Sequence, residues 1–533
     1  MKACDRREFI GAAAAGYGGL ILGGVPVDPA MARRARRRRT PFAKNGAFSL
    51  GVAAGAPFSK TGTVVWTRLD GFRRDRLLKL EVARDPEFRR VVHRRDVRAR
   101  SSSDHTVETR LRGKFLKPGR EYFYRFHTKN VDSPVGRFRT LPPSDSREPV
   151  RVGFFSCQDY QAGYYGAHAA MANEDLDLVI SLGDYVYERT FYEGPADRKD
   201  TLGANRDGEV QTLPEYRAKY RMYRGDRNLQ AMHAAHPFVA IWDDHEIEDN
   251  WAGANPGEAT GQTRVPFLQR RDAGYRAFFE YMPFAPVRGN PALGDFLYRK
   301  VDLGANAELF LLDQRSYRDD QPCGDELFVP CPEAERGGRR FIGRQQMDWL
   351  KTNLQRSDST WKLIGSQLMV MSLDTAAGQP INKDSWDGYG QERRELLSHV
   401  RDRGINNVSF LTGDIHTYFA GDVGVDGRGP ESVATEFVGG SITSLGIPES
   451  FQSTTGVPLT PAQFDLVTRN IGLINPHLRY NEQRSRGYAV LEARPDRLEV
   501  AFRAVDAMNP NARTARTLRR FRVAQGSQRV QVL

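Results

Sequence analysis

The chain has 533 residues with 50 Gly, 29 Pro and 10% aromatic residues, enough for a large hydrophobic core and more than one domain, and unlike a fibrous or wholly disordered protein. Its formal charge is +12, but residues 1–39 carry nine Lys/Arg against three Asp/Glu and so supply +6 of it. The remaining chain is then about +6, which weakens any nucleic-acid reading drawn from the charge alone and leaves room for anionic substrates.

Residues 1–32 read as a targeting segment. Arg6-Arg7 precede an uncharged, Ala/Gly-rich stretch from Ile10 to Val27, and Ala30-Met31-Ala32 offers a small-residue cleavage signal. This resembles the leader of the twin-arginine export route, which implies a bacterial periplasmic or secreted product exported folded through the twin-arginine machinery. A single membrane anchor is the alternative, and the low hydrophobicity argues against it. No other stretch approaches ~20 apolar residues. Residues 33–43 read as a basic flexible segment. Residues 44–141 predict a small β domain, with strands at 61–69, 77–83, 105–112, 120–129 and 133–140, closed by a Pro/Ser-rich linker at 141–149.

From residue 150 the pattern alternates. Strands are expected at 150–157, 176–184, 238–246, 307–317, 360–370 and 405–421, and helices at 164–175, 213–237, 343–357 and 392–404. Strand signals return at 487–505. The order predicts an α/β domain of layered sheets and helices over 150–533. Cys323 and Cys331, eight apart in a loop-like stretch, are expected to pair in an oxidising compartment, which leaves Cys157 alone.

Four apolar strands end in chemistry-bearing residues: Cys157; Asp184 with Tyr187; Asp243, Asp244 and His245; Asp414 with His416. Strand ends host sites in α/β sheets. Short Asp side chains and neutral His nitrogens suit a metal centre, and two residues spaced i and i+2 on a strand share a face, as Asp414 and His416 do. Taken singly, each has an ordinary reading: Cys157 as a small buried hydrophobe, Asp184 as a helix cap, Tyr187 as core, Arg189 as a surface ion pair.

The ordered series "GVAAGAPFSKTGTVVWTRL" (51–69), "FFSCQDYQAGYYGAHAAMANEDLDLVISLGDYVYE" (154–188), "LPEYRAKYRMYRGDRNLQAMHAAHPFVAIWDDHEIEDNW" (213–251) and "FLTGDIHTYFAGD" (410–422) resembles the alkaline phosphatase D family of the calcineurin-like metallophosphoesterases. The resemblance implies a β-sandwich ahead of a four-layer α/β/β/α catalytic domain. It also implies a secreted phosphomonoesterase and phosphodiesterase that uses metal-activated hydroxide at a centre of Fe3+ and Ca2+. On the matching positions, Cys157, Tyr187 and His416 would bind iron, Asp184 would bridge, and Asp244 and Asp414 would face calcium. His245 and Arg189 would act on the phosphoryl group. Asn250 is a further candidate, with the choice between Asp249 and Asn250 open. Asp243 would orient His245. Gln367 stands where the superfamily has another histidine ligand and is not taken as one. His477, in the 441–485 stretch, is a candidate wall of the pocket. His233 and His236 read as structural, and the Tyr/Arg-rich 216–224 as a helix beside the site. The expected partners are phosphate monoesters or diesters, phospholipid and teichoic acid among them, with no stable nucleic-acid partner and a monomeric chain. A phosphate-binding protein without turnover is the reading from another class.

Overall fold

The structure is a computed structural model that describes residues 40–533 apart from 58, 60, 192–193, 196, 259–262, 285–296, 327–328, 447–451 and 453–455. The leader at 1–32 and most of the 33–43 segment therefore lie outside the described residues. Among the described residues, no helix is long and apolar enough to cross a membrane.

Two large sheets form the centre. The first has ten strands and is built on three parallel neighbours, Val150–Phe155, Leu178–Ser181 and Pro237–Ala240. The second has seven strands, with parallel Ala307–Leu311, Trp361–Ser366, Val408–Thr412 and Ala434–Gly439 as its middle. Alternation along the second sheet explains the layering. Leu309, Leu311, Leu363 and Leu411 share a buried cluster with Val152, Phe154 and Ile180 of the first sheet. Their neighbours Phe310, Ile364 and Phe410 face the other way, onto Leu350 and Leu354 of helix Arg344–Arg356 and Leu396 and Val400 of helix Gly390–Asp402. On the far side of the first sheet lie helices Gly166–Ala172, Leu213–Arg224, Arg227–Ala235 and Phe267–Tyr281. The stack is helix, sheet, sheet, helix.

The N-terminal β region is joined to this stack rather than set apart from it. Val52–Gly55 pairs parallel with Pro237–Ala240, and Gly62–Arg68 and Thr106–Arg112 extend the same sheet. A separate four-stranded sheet, Val91–Ala99, Arg76–Ala83, Glu121–His127 and Gly136–Arg139, closes over it. Val65 and Leu111 of the shared layer meet Leu78, Leu80 and Phe126 of the closing layer in one apolar core.

Several elements are shorter than the sequence suggests. The helix expected at 213–237 is two helices, because Asp226 accepts the amides of Asn228 and Leu229 and starts a new one. The strands expected to run to 184, 246, 317 and 421 stop before the polar tips or, in the last case, split into Val408–Thr412 and Tyr418–Val423. Strand Arg516–Ala524, which follows Arg497–Val505 in the first sheet, was not expected at all. The Cys323–Cys331 disulfide is present, with Cα atoms 5.9 Å apart, and Cys157 is free and buried.

Candidate active site

The strand tips converge because their backbones turn sharply. Cys157, Asp184, Asp414 and His416 all have left-handed φ, between 54° and 66°. Such conformations in non-glycine residues are costly and concentrate at functional sites. Gly183, at φ 116°, is needed for a steric reason: a Cβ there would stand 2.5 Å from Cβ of Asp243. Backbone bonds tie the tips together. Cys157 donates to the Gly183 carbonyl (3.2 Å) and Gln158 to that of Asp184 (3.1 Å). The Glu246 carboxylate accepts the amides of Asp184, Tyr185 and Asp243 at 3.2, 2.6 and 2.8 Å. Burial lifts its pKa to about 8 even so.

Two groups of three potential ligands result, Cys157 with Asp184 and His416, and Asp184 with Asp244 and His245. Within each group the donor atoms lie within 4.8 Å of one another. Asp184 belongs to both, and its Oδ1 is buried without a hydrogen-bond partner. The Tyr187 hydroxyl joins the first group, donating to Asp184 Oδ2 at 3.2 Å and lying 3.3 Å from His416 Nε2. It accepts from Ser444 Oγ at 2.7 Å. His416 Nδ1 meets the Leu445 carbonyl at 2.8 Å, which assigns the proton to Nδ1 and leaves Nε2 as a ligand atom. Asp414 stands outside both groups, although its carbonyl is 3.6 Å from Cys157 Sγ.

The electrostatics favour a cation. Burial and the neighbouring carboxylates push Asp184 and Asp414 well above the usual range. Burial likewise raises the Cys157 thiol, with Asp184 adding to it. A multivalent cation would satisfy the orphaned Asp184 oxygen and reverse these shifts.

Around Asp244 the arrangement differs from expectation. Asp244 accepts from the backbone amides of Asn250 (2.8 Å) and His245 (3.1 Å). His245 is oriented not by Asp243 but by Glu188, whose Oε2 lies 2.9 Å from Nδ1. Asp243 is turned away by Arg315, whose Nε approaches Asp243 Oδ1 at 2.5 Å while its Nη1 and Nη2 clasp Asp384 at 2.9 and 2.7 Å. The same guanidinium comes within 3.5 Å of Asp244. Burial opposes the His245 imidazolium, yet Asp244, Asp184 and Glu188 hold its pKa well above the ordinary value. Its ring stacks on Tyr187 at 4.1 Å.

Arg189 sits beside this group in an ion pair with Asp249 and over the Phe191 ring, so a phosphate would have to compete with Asp249 for it. The Asn250 side chain donates to Asp325 at 3.1 Å. Gln367 donates to the carbonyls of Trp242 and Leu312 and ties the two sheets' tips together. His477 is elsewhere, bonded to the Ser372 carbonyl beside a different cavity. His233 and His236 bond to Tyr185 and the Met171 carbonyl within the core. The Tyr/Arg helix buries Tyr216, Tyr220 and Tyr223, and the Tyr223 hydroxyl accepts the Tyr187 amide. Glu188, Glu246, Arg315, Asp384 and Ser444 are the supporting residues the motifs did not mark.

The chain matches the PhoD-like phosphatase family over residues 152–502 and the PhoD-like phosphatase N-terminal domain over residues 33–142. Alkaline phosphatase D of Bacillus subtilis (strain 168) is 35% identical over 518 residues, covering 94% of this chain and 84% of that protein. A solved structure of PhoD aligns with a TM-score of 0.80 at 33% identity, covering 92% of this chain and 93% of the other. Purple acid phosphatase PPD1 from yellow lupin (Lupinus luteus) seeds shares the fold alone, with a TM-score of 0.54 at 11% identity over 90% of this chain and 74% of its own.

Proposed function

This chain belongs to the PhoD-like phosphatase family and is a phosphoric ester hydrolase of the alkaline phosphatase D type, and from that premise we propose that it works through an iron–calcium pair sharing Asp184. The observation that carries the reading is the membership of Asp184 in both ligand groups, with one buried oxygen unbonded. Cys157, Tyr187, His416 and Asp184 would hold Fe3+, and Asp184, Asp244 and Asp414 would hold Ca2+. When bound, the two cations supply Lewis-acid activation of water and offset charge on the phosphoryl oxygens.

The protein's own side chains do the rest. Glu188 holds His245 Nδ1, which leaves Nε2 to donate a proton to the departing ester oxygen. Arg189, released from Asp249, would grip the phosphoryl group through its planar fork. Asn250 keeps Asp244 in place through its backbone amide. The substrates are phosphate monoesters and diesters, and parallel assays on a monoester, a phospholipid and teichoic acid rank them. The leader pattern and the Cys323–Cys331 disulfide support secretion into an oxidising compartment. We take 44–141 as a β-sandwich domain and 150–533 as the catalytic domain with a C-terminal extension, although strands of the first extend the catalytic sheet.

Cys157→Ala tests the iron assignment. Iron bound per chain and turnover should fall together. Unchanged iron content with unchanged turnover would contradict it.

A further inference from the structure

A cavity of about 220 Å³, rich in arginine, lies at the end of the first sheet that carries the ligand cluster. Arg484, Ser485, Arg486, Asp506 and Arg516 are among the residues that line it, three arginines with one aspartate. Sheet register brings them to one end of the sheet. Ala489 pairs with Phe154 in antiparallel fashion, so Arg486, three residues before Ala489, lies at the same end as Cys157, three residues after Phe154. Arg486 pairs with Val505, and the next residue back on that strand, Ala504, pairs with Arg516. The two arginines therefore flank one strand end.

The cavity is one residue away from the ligands. Arg486 Nε donates to the Ser444 carbonyl at 3.2 Å, and Ser444 Oγ donates to the Tyr187 hydroxyl at 2.7 Å. Arg516 Nη2 reaches Ser485 Oγ at 3.2 Å. Arg484 is paired with Asp465, an exposed ion pair that a phosphate oxygen can displace at little cost. Guanidinium forks match phosphate oxygens in geometry as well as charge.

We propose that this cavity is a subsite for a second phosphate group carried by the same substrate molecule, outside the ester being cleaved. The proposal rests on the hydrolase reading above and narrows its substrate class to esters with more than one phosphate.

The test compares adenosine 5′-phosphate with adenosine 3′,5′-bisphosphate, whose second phosphate is terminal, and with a 5′-phosphorylated adenosine dinucleotide, whose second phosphate bridges. The readout is the ratio of kcat/KM for each two-phosphate substrate to that for the monophosphate, using the full metal-loaded enzyme. In Arg516→Gln the ratio should fall roughly tenfold in at least one arm, the loss of one charge-assisted contact. Arg516→Lys should recover part of it, and Asp506→Asn should raise it. The arm that responds identifies the kind of second phosphate. An unchanged ratio in both arms for Arg516→Gln, or a lowered ratio for Asp506→Asn, overturns the subsite while leaving the hydrolase reading intact. If the native enzyme turned over none of the three, the subsite would be overturned, while the monoester, phospholipid and teichoic acid assays test the hydrolase reading separately.

Discussion

The tips of the two central sheets contribute to the site in different ways. In the first sheet, three adjacent parallel strands each deliver ligand candidates: Cys157 after the first, Asp184 and Tyr187 after the second, Asp244 and His245 after the third. In the second sheet only the strand Val408–Thr412 does so, through Asp414 and His416. Its other tips brace. Arg315 follows Ala307–Leu311 and clasps Asp243 and Asp384, and Gln367 follows Trp361–Ser366 and bonds to the Trp242 and Leu312 carbonyls. The loop after Ala434–Gly439 supplies Ser444 and the Leu445 carbonyl to Tyr187 and His416. One sheet thus presents charge, and the other neutralises and orients it. The carboxylates can crowd together because the buried Arg315 guanidinium faces them from the opposite layer and backbone amides of their own loops bond to them.

That division of labour can be broken in graded steps. Asp184→Asn removes the group common to both ligand sets, and turnover should fall roughly a thousandfold or more, since several kcal/mol of charge stabilisation are lost. Elemental analysis should show both metals depleted. Arg315 tests the bracing sheet. Arg315→Lys keeps a charge but loses the fork, and calcium affinity and activity should each drop roughly 10- to 100-fold while bound iron is retained. Arg315→Met leaves Asp243 and Asp384 buried without a cation, and it should also lower the melting temperature.

Glu188→Gln should have the smallest effect, a loss of roughly tenfold in kcat with KM little changed. Its clearer signature is in pH. A proton donor works while protonated, so activity persists at low pH and is lost as pH rises through the His245 pKa. Glu188 is one of the carboxylates that raise that pKa. The alkaline limb of the kcat profile should therefore move to lower pH in the variant, and a limb that stays put or moves up would show that Glu188 does not act through His245.

Much of the presenting sheet was legible in the chain. Apolar strands ending in Cys157, Asp184, Asp244 and His416 carry their chemistry in residue type and position, because a strand terminus fixes where a short side chain can reach. The bracing was not legible. "FLLDQRSYRDD" contains two arginines, and nothing in it says that Arg315 turns into a fully buried carboxylate pair. Glu188 lay beside two assigned residues and stayed unassigned, because its partner is fifty-seven positions away. The adjacency of Asp243 and Asp244 suggested that one binds metal while the other orients His245, and tertiary packing overrode this, since Arg315 offers Asp243 a stronger charge-assisted bond. Joining the N-terminal β region to the catalytic sheet through Ala54 and Pro237 likewise depends on long-range pairing that local alternation does not encode.

Two different cations are proposed to meet at Asp184. Anomalous diffraction from crystals of the enzyme purified with its native metals, collected on either side of the iron absorption edge, tests this most directly. An iron peak is expected among Cys157 Sγ, Tyr187 Oη and His416 Nε2, and a neighbouring peak without an iron edge on the Asp244 side of Asp184. A single metal peak, or an iron signal away from Cys157, would contradict it.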